Sequence, residues 1–232
     1  MALDGARRIG TAAAARRRAG RILRLAVLLF LAAAPASADP GALAHLERES
    51  PEIAARLLRD GLVVLKDGEP GTSWRGAGFV EAYVLFEEPP DRVFALLADT
   101  RRQAEFRPEL ERIETVTALS DGSIEEHHLG VLFTEIAYRL RYRIDPQARR
   151  IAWSLDPGFA NDVSRIEGSW ELHEAEGGRT LARFGTRVDV GPALPAFVAE
   201  LATRKDLPGT LERCRAWVAS NAPTVLATSL PD

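Results

Sequence analysis

The sequence predicts an α+β fold in which a curved antiparallel sheet of seven strands wraps around a long C-terminal helix. Two observations carry this prediction. Residues 110 to 190 alternate between apolar and polar side chains and break at hairpin-type turns. Residues 194 to 218 then return to a helical period. Two short helices after the first strand and an extra N-terminal helix complete the predicted architecture.

The first predicted strand starts at Gly78 and ends before Pro89-Pro90. Alternate residues place one apolar set on a single face: Val80, Ala82, Val84 and Phe86. Asp91 follows the prolines as a helix-start residue, and we predict a short helix that runs towards Asp99. A second short helix is predicted around Arg101 to Phe106, because Pro108 ends it. The two helices make a corner between strands.

Six further strands are predicted between turns rich in Asp, Gly and Pro. They are Leu110 to Leu119, Ile124 to Leu132, Phe133 to Ile144, Arg150 to Leu155, Val163 to Glu174 and Thr180 to Val190. In the third of these, Ile136, Tyr138, Leu140, Tyr142 and Ile144 share one face, and Glu135, Arg139, Arg141 and Arg143 share the other. One face of the sheet is therefore predicted to be apolar and the other to face water.

Helical patterns flank the strands. Ala42 to Arg59 is predicted to be amphipathic, interrupted at Pro51 and ended by Gly61, and Leu62 to Leu65 could add a short strand. The C-terminal helix has an apolar stripe with a kink or break at Pro208-Gly209. The stripe consists of Leu194, Phe197, Val198, Leu201, Leu211, Cys214, Trp217 and Val218.

The first 38 residues differ from the rest in composition. Seven arginines precede the apolar run Leu25 to Ala34, which is followed by Pro35 and the triplet Ala36-Ser37-Ala38. This order predicts a secretory signal peptide that is cleaved after Ala38. An uncleaved membrane anchor is the alternative, but the run is shorter than the roughly 20 residues that a span needs. We therefore expect secretion across the inner membrane to a periplasmic destination, with no integral membrane span after cleavage.

The charge and the cysteine content limit which binding partners and which covalent cross-links we expect. Residues 39 to 232 hold 23 Lys and Arg against 32 Asp and Glu, a net charge of −9, so we expect no nucleic-acid partner. The single cysteine, Cys214, allows no intramolecular disulfide. We divide the chain into a signal peptide (1–38), a helical leader and linker (39–77), one domain (78–220) and a tail (221–232). The sequence does not indicate the oligomeric state.

Three stretches carry a resemblance to a known superfamily. They are Phe86 to Phe94 with Leu97 and Asp99, then Phe106-Arg107-Pro108 ahead of a strand, and Asn161-Asp162 leading into Gly168 to Leu172. With the order of elements, they resemble the helix-grip fold of the START-like, polyketide cyclase/dehydrase and lipid-transport (SRPBCC) superfamily over roughly Gly78 to Ser220. The resemblance implies a cavity between sheet and helix that holds lipids, sterols, quinones or polyketides. It supplies no universal catalytic residue.

Inward-facing apolar residues are the candidates for a ligand cavity, because a curved sheet spanned by one helix leaves a gap that side chains or a guest must fill. They are Val84, Phe86, Tyr138, Tyr142, Trp153, Trp170, Phe184, Phe197 and Leu201. The alternative is that these side chains only pack the core.

Polar groups indicate no clear catalytic or metal site. His127 and His128 are neighbours in a strand and point to opposite faces, so they cannot grip one metal ion and are predicted to be solvated. Glu125-Glu126 are also predicted to carry solvated charge beside a hairpin turn, and Cys214 to be a buried inert thiol. If there is chemistry, the hydroxyls of Tyr138 and Tyr142 are the first candidates.

Strand arginines are predicted to form cross-strand ion pairs on the wet face rather than an anion site. They are Arg139, Arg141, Arg143, Arg165, Arg183 and Arg187.

We therefore expect an exported binding protein for a hydrophobic small molecule or lipid that needs no cofactor, rather than an enzyme. Two alternatives stay open. One is an enzyme of the cyclase or aromatase kind that works on a polyketide-like substrate in the same cavity. The other is a periplasmic protein-interaction module that uses the leader helix or the outer sheet face.

Overall fold

The computed structural model describes residues 41–65, 79–131, 134–190 and 207–221. The helices are α1 (Ala42–Glu49), α2 (Pro51–Asp60), α3 (Pro90–Ala98) and α4 (Leu207–Asn221), with 3₁₀ helices at Thr100–Glu105 and Glu176–Gly178. The strands are β1 (Leu62–Leu65), β2 (Phe79–Phe86), β3 (Leu110–Leu119), β4 (Gly122–Val131), β5 (Thr134–Asp145), β6 (Arg150–Leu155), β7 (Arg165–Ala175) and β8 (Arg179–Asp189). The predicted signal peptide, residues 194 to 206 of the predicted C-terminal helix and the tail beyond Asn221 lie outside the described residues.

One antiparallel sheet contains all the described strands, in the order β1-β2-β8-β7-β6-β5-β4-β3. It has eight strands, so the prediction of seven was wrong by one. The additional strand is β1, which pairs with β2 from Leu62 opposite Val84 to Leu65 opposite Glu81. Four residues form a strand here because Val63 and Leu65 are buried on one face while Leu62 and Val64 pack on the other.

The main core lies on the inner face of the sheet. Val84 and Phe86 of β2, Ala182 of β8 and Leu172 of β7 pack there with Val93 of α3. Helix α4 lies against β1, β2 and α3, and its buried residues are Leu211, Cys214, Trp217 and Val218. These four belong to the predicted apolar stripe, so the sequence identified the buried side of the helix correctly.

A second core lies on the opposite face of the same sheet, under α1 and α2. Leu57 is fully buried there against Val63, Leu85 and Leu181, which alternate with the inner-face residues of their strands. The expectation of a wet outer face is therefore wrong for β1, β2 and β8. The amphipathic leader supplies the apolar surface that covers these strands.

The leader forms two helices instead of one. Pro51 stands at the first position of α2, where a missing N–H costs nothing, and Gly61 ends α2 with a φ of 74°. This agrees with the predicted interruption and stop. The leader covers the outer face of the sheet, which the sequence alone did not reveal.

The corner after β2 closes one side of the inner face. Helix α3 continues directly into the 3₁₀ helix Thr100–Glu105, and α4 is tied to it by two hydrogen bonds. The Arg213 Nε donates to the Phe106 carbonyl at 3.0 Å, and the Trp217 Nε1 donates to Glu105 Oε2 at 2.7 Å. Among the described helices, not one is long and apolar enough to cross a bilayer.

Candidate ligand cavity

A cavity of about 310 Å³ lies between the inner face of the sheet and the helical corner, and α4 forms part of its wall. Strands β5 to β8 supply most of its sheet side, while Leu96, Leu97 and Phe106 line it from the corner and Leu211 and Trp217 from α4. A space of this size is within the range of small-molecule pockets. The described parts of the sheet and helices thus surround a volume that their own side chains leave unfilled.

Three aromatic side chains form one wall of the cavity. The Phe184 ring lies 4.7 Å from the Trp170 ring and 5.8 Å from the Trp153 ring, measured between centroids. Trp153 lies directly on Gly168, where an added Cβ would come within 2.4 Å of the indole. A glycine is therefore required under this ring. The wall presents broad apolar faces to whatever occupies the cavity.

The nine predicted lining residues divide into three groups. Five lie on the cavity wall: Tyr138, Tyr142, Trp153, Trp170 and Phe184. Val84 and Phe86 face the same side of the sheet but are buried in the core and do not line the cavity. They lie on β2, against which α4 packs. Phe197 and Leu201 lie outside the described residues.

The polar part of the wall comes from the corner and β5. Gln103 Nε2 donates to the Tyr142 hydroxyl at 3.0 Å, and Gln103 Oε1 accepts from the Arg107 guanidinium at 3.3 Å. Arg107 Nε donates to Glu109 Oε1 at 2.9 Å. These four side chains all line the cavity. They form a continuous hydrogen-bonded chain, which we call the polar strip.

A buried carboxylate and imidazole lie behind the polar strip. His127 is fully buried and stacks on Tyr138 with 5.3 Å between ring centroids, and its Nε2 lies 3.4 Å from the Tyr142 hydroxyl. Glu125 accepts hydrogen bonds from Thr100 at 2.6 Å and from Ser123 at 2.9 Å. Its other oxygen lies 3.7 Å from His127 Nε2. The predictions that His127 and Glu125 are solvated were wrong.

Burial sets the protonation states of this group. It lowers the pKa of His127, which is therefore neutral near pH 7. Burial alone would raise the pKa of Glu125, but the contact with His127 and the two hydroxyl donors outweigh it and lower that pKa. Burial also raises the pKa of Tyr142 far above its usual value. Tyr142 thus acts as a neutral hydrogen-bonding group.

The other side chains singled out in the sequence lie away from the cavity. His128 lies on the outer face and contacts Glu126 and Glu135 at 2.9 and 2.6 Å, but it is buried, so the prediction that it is solvated was also wrong. Cys214 is buried as predicted, and burial raises the pKa of its thiol to about 12, which makes it a poor nucleophile. No group of three or more possible metal ligands occurs within the described ranges.

Several strand arginines form the predicted ion pairs. Arg139 meets Glu126 at 2.8 Å and Arg183 meets Glu171 at 3.5 Å across strands, and Arg165 approaches Glu167 at 3.9 Å. Arg183 also pairs at 2.6 Å with Glu81, which is buried.

The burial of Glu125 and His127 was not predicted, because both faces of β4 are polar and the sequence shows no alternation there. A register argument could have placed them. The predicted break between residues 132 and 133 puts His127 opposite Tyr138, and the structure has this pairing. Cross-strand partners share a face, so the inward direction of Tyr138 implies that of His127. Gln103, Arg107 and Glu109 carried no such signal, since they belong to an irregular corner.

Comparison with solved structures supports the fold. The protein TTHA0849 of Thermus thermophilus aligns with a TM-score of 0.53 and 18% identity over 62% of this chain and 99% of that chain. The Zhui aromatase/cyclase of a Streptomyces species aligns with a TM-score of 0.52 and 21% identity over 61% and 93% of the two chains. At these identities the likeness shows the fold alone. A search of the curated proteins found no significant match.

Comparison with family models gives the family. The model described as polyketide cyclase / dehydrase and lipid transport matches residues 80–218. This range runs from β2 to α4 and includes all the described residues of the cavity wall. The match covers more than half of the chain and agrees with the resemblance seen in the sequence. This chain belongs to the polyketide cyclase/dehydrase and lipid transport family.

Proposed function

We propose that this protein is an exported binding protein that encloses a hydrophobic small molecule or lipid. The observation that carries the proposal is the cavity of about 310 Å³, whose wall is largely apolar and aromatic. An unfilled space of this size costs packing energy in a folded domain, because its lining side chains lose contacts. A guest that fills the cavity restores those contacts, and its own apolar surface is removed from water.

The protonation states favour binding over proton transfer. A general acid or base works best when its pKa lies near the working pH. Tyr142 is the hydroxyl best placed at the cavity wall, but burial raises its pKa far above that range. His127 lies behind the wall and does not line the cavity. The polar strip is thus suited to orienting a guest.

Export rests on the first 38 residues. Their basic segment, apolar run and Ala36-Ser37-Ala38 triplet have the order of a cleaved secretory signal. Fractionation of cells, with mass spectrometry of the N-terminus, tests this part of the proposal. A mature protein that begins at Asp39 in the periplasmic fraction would support it. An intact N-terminus in the cytoplasm would overturn it.

Native mass spectrometry of the protein purified from its own cells tests the ligand. We expect a stoichiometric mass increment that is lost after extraction with organic solvent, and the extract identifies the guest. A protein that carries no such mass and also fails to bind a panel of lipids and quinones would overturn the proposal.

An enzyme of the aromatase/cyclase kind is the second candidate, favoured by the contact between Tyr142 and the buried Glu125–His127 pair. Such an enzyme must move a proton next to a substrate carbonyl. Exchange of the α-hydrogens of a bound ketone with D₂O, followed by NMR, separates the candidates. The binding proposal predicts the uncatalysed rate. Faster exchange that Tyr142→Phe abolishes would favour the enzyme.

A further inference from the structure

Gln103 and Tyr142 offer hydrogen-bond donors to a guest at the polar strip. Gln103 Oε1 is occupied by Arg107, while the second N–H of the Gln103 amide remains for a guest. The Tyr142 hydroxyl accepts from Gln103, so its own proton points elsewhere. Its other polar neighbour is His127 Nε2 at 3.4 Å, a long contact that leaves the hydroxyl proton available to a guest when Nε2 carries the imidazole proton. A guest that presents an acceptor oxygen suits this strip better than one that presents a donor.

The charge of the surroundings decides what kind of acceptor fits. The Arg107 charge is balanced by Glu109, with 2.9 Å between Nε and Oε1. Asp99 at the cavity wall is paired with Arg101 at 3.6 Å. The buried Glu125 carboxylate has hydroxyl partners and a neutral imidazole, so its charge is not balanced within this group. Within the polar strip the charges of Arg107 and Glu109 therefore cancel, and the Glu125 carboxylate behind it adds no positive charge.

A carboxylate placed at the strip would meet an arginine that is already paired with Glu109 and would also lose its hydration. Burying a charge without a free counter-charge is strongly unfavourable. A ketone or ester carbonyl pays a much smaller desolvation cost and accepts the same hydrogen bonds. The two kinds of head group therefore differ in affinity although their apolar bodies bind alike.

We infer that the cavity selects apolar molecules with an uncharged oxygen acceptor, such as a ketone, quinone or ester carbonyl, and discriminates against free carboxylic acids. This rests on the proposed binding function and specifies its ligand class. The polar strip holds the carbonyl, and Trp153, Trp170 and Phe184 hold the apolar body. Glu109 is the residue that sets the selectivity, because it cancels the charge with which Arg107 would otherwise attract an anion.

Two molecules with the same undecyl chain test the inference: methyl undecyl ketone and dodecanoic acid. Their affinities are measured at neutral pH by displacement of N-phenylnaphthylamine, a neutral fluorescent probe, from the purified protein. We expect the ketone to bind at least about tenfold more tightly than the acid. Equal affinities, or a preference for the acid, would overturn the inference while leaving the binding function intact. If neither the probe nor either compound binds, the binding function itself fails.

A variant separates the effect of charge on selectivity from the fit of the undecyl chain of the ligand. Glu109→Gln leaves the Arg107 charge unbalanced, so the acid should gain affinity relative to the ketone by about tenfold or more. Glu114→Gln removes an exposed carboxylate that pairs with Arg112 outside the cavity and should leave the ratio unchanged. An unchanged ratio in a folded Glu109→Gln protein would overturn the role of Glu109. If this variant does not fold, the ratio in the unmodified protein still decides the inference.

Discussion

The two sides of the sheet are built differently. Around β1, β2 and β8 the sheet is buried on both faces, by the leader helices outside and by α3 and α4 inside. Along β3, β4 and β5 the outer face carries charged residues, while the inner faces of β5 to β8 line most of the cavity and β4 holds the buried Glu125 and His127. The strands under the leader contribute packing on their outer face, and β8 also lines the cavity with its inner face, whereas β4 and β5 hold the buried polar groups. The leader core and the cavity thus lie on opposite faces of the sheet.

The largest effect on stability is expected from Leu57→Ala in α2. Leu57 is fully buried between the leader and the sheet, so its truncation should lower the free energy of unfolding by about 2–5 kcal/mol. Leu58→Ala is the matched control, because Leu58 is 46% exposed and should cost under about 0.5 kcal/mol. Chemical denaturation measures both. Equal losses would show that the leader does not form a second core.

A smaller loss is expected from Arg183→Ala. Arg183 pairs with Glu81 at 2.6 Å, and the Glu81 side chain is only 1% exposed. Removal of the guanidinium leaves a buried carboxylate with one partner fewer, at a cost of about 2 kcal/mol. Arg165→Ala breaks an exposed contact of 3.9 Å with Glu167 and should cost under about 1 kcal/mol. Equal unfolding free energies for the two variants would contradict the difference between the covered and the wet outer face.

A pH-dependent effect is expected from His127 on the cavity side. Burial lowers its pKa below the ordinary value of 6.5, so below pH 6.5 the unfolded chain takes up a proton that the native protein does not. The free energy of unfolding should therefore decrease as the pH is lowered below 6.5, by up to about 1.4 kcal/mol per pH unit, until the pKa of the native protein is reached. The pKa of His173 is also lowered, mainly by burial, so the comparison needs both histidines.

The decisive variant is His127→Gln, measured by denaturation between pH 7.5 and the ordinary Glu pKa of 4.5. In the His173→Gln protein, the remaining pH dependence of the unfolding free energy comes partly from His127. Adding His127→Gln to that protein should therefore reduce the slope further. An unchanged slope would mean that His127 titrates alike in the native and unfolded chains.

The covered side of the sheet was only partly predictable. The alternation in β2 and the helical stripe of α4 identified their inner faces, because each pattern repeats over many residues. The outer residues Tyr83 and Leu85 of β2 are also apolar, but sequence alternation cannot say which distant helix covers them. The role of the leader depends on a long-range contact, and it appeared only in the structure.

On the cavity side, the sequence predicted the apolar wall but not the polar groups. Tyr138, Tyr142, Trp153, Trp170 and Phe184 follow from strand alternation alone. The polar strip joins an irregular corner to a strand about forty residues away in the chain, and no periodic pattern links Gln103 to Tyr142. Charged residues such as Arg107 are usually exposed, so local composition gave no reason to place it at a cavity wall.

Filling of the cavity tests the central claim most directly. Val188→Trp places an indole in the cavity space, whereas Val116→Trp adds one at a position that is 44% exposed on the edge strand β3. The purified protein and both variants are titrated with N-phenylnaphthylamine. The account predicts one bound equivalent for the unmodified protein and for Val116→Trp, and at least about tenfold weaker binding for a folded Val188→Trp. Equal binding by all three proteins would contradict the claim that this cavity encloses an apolar guest.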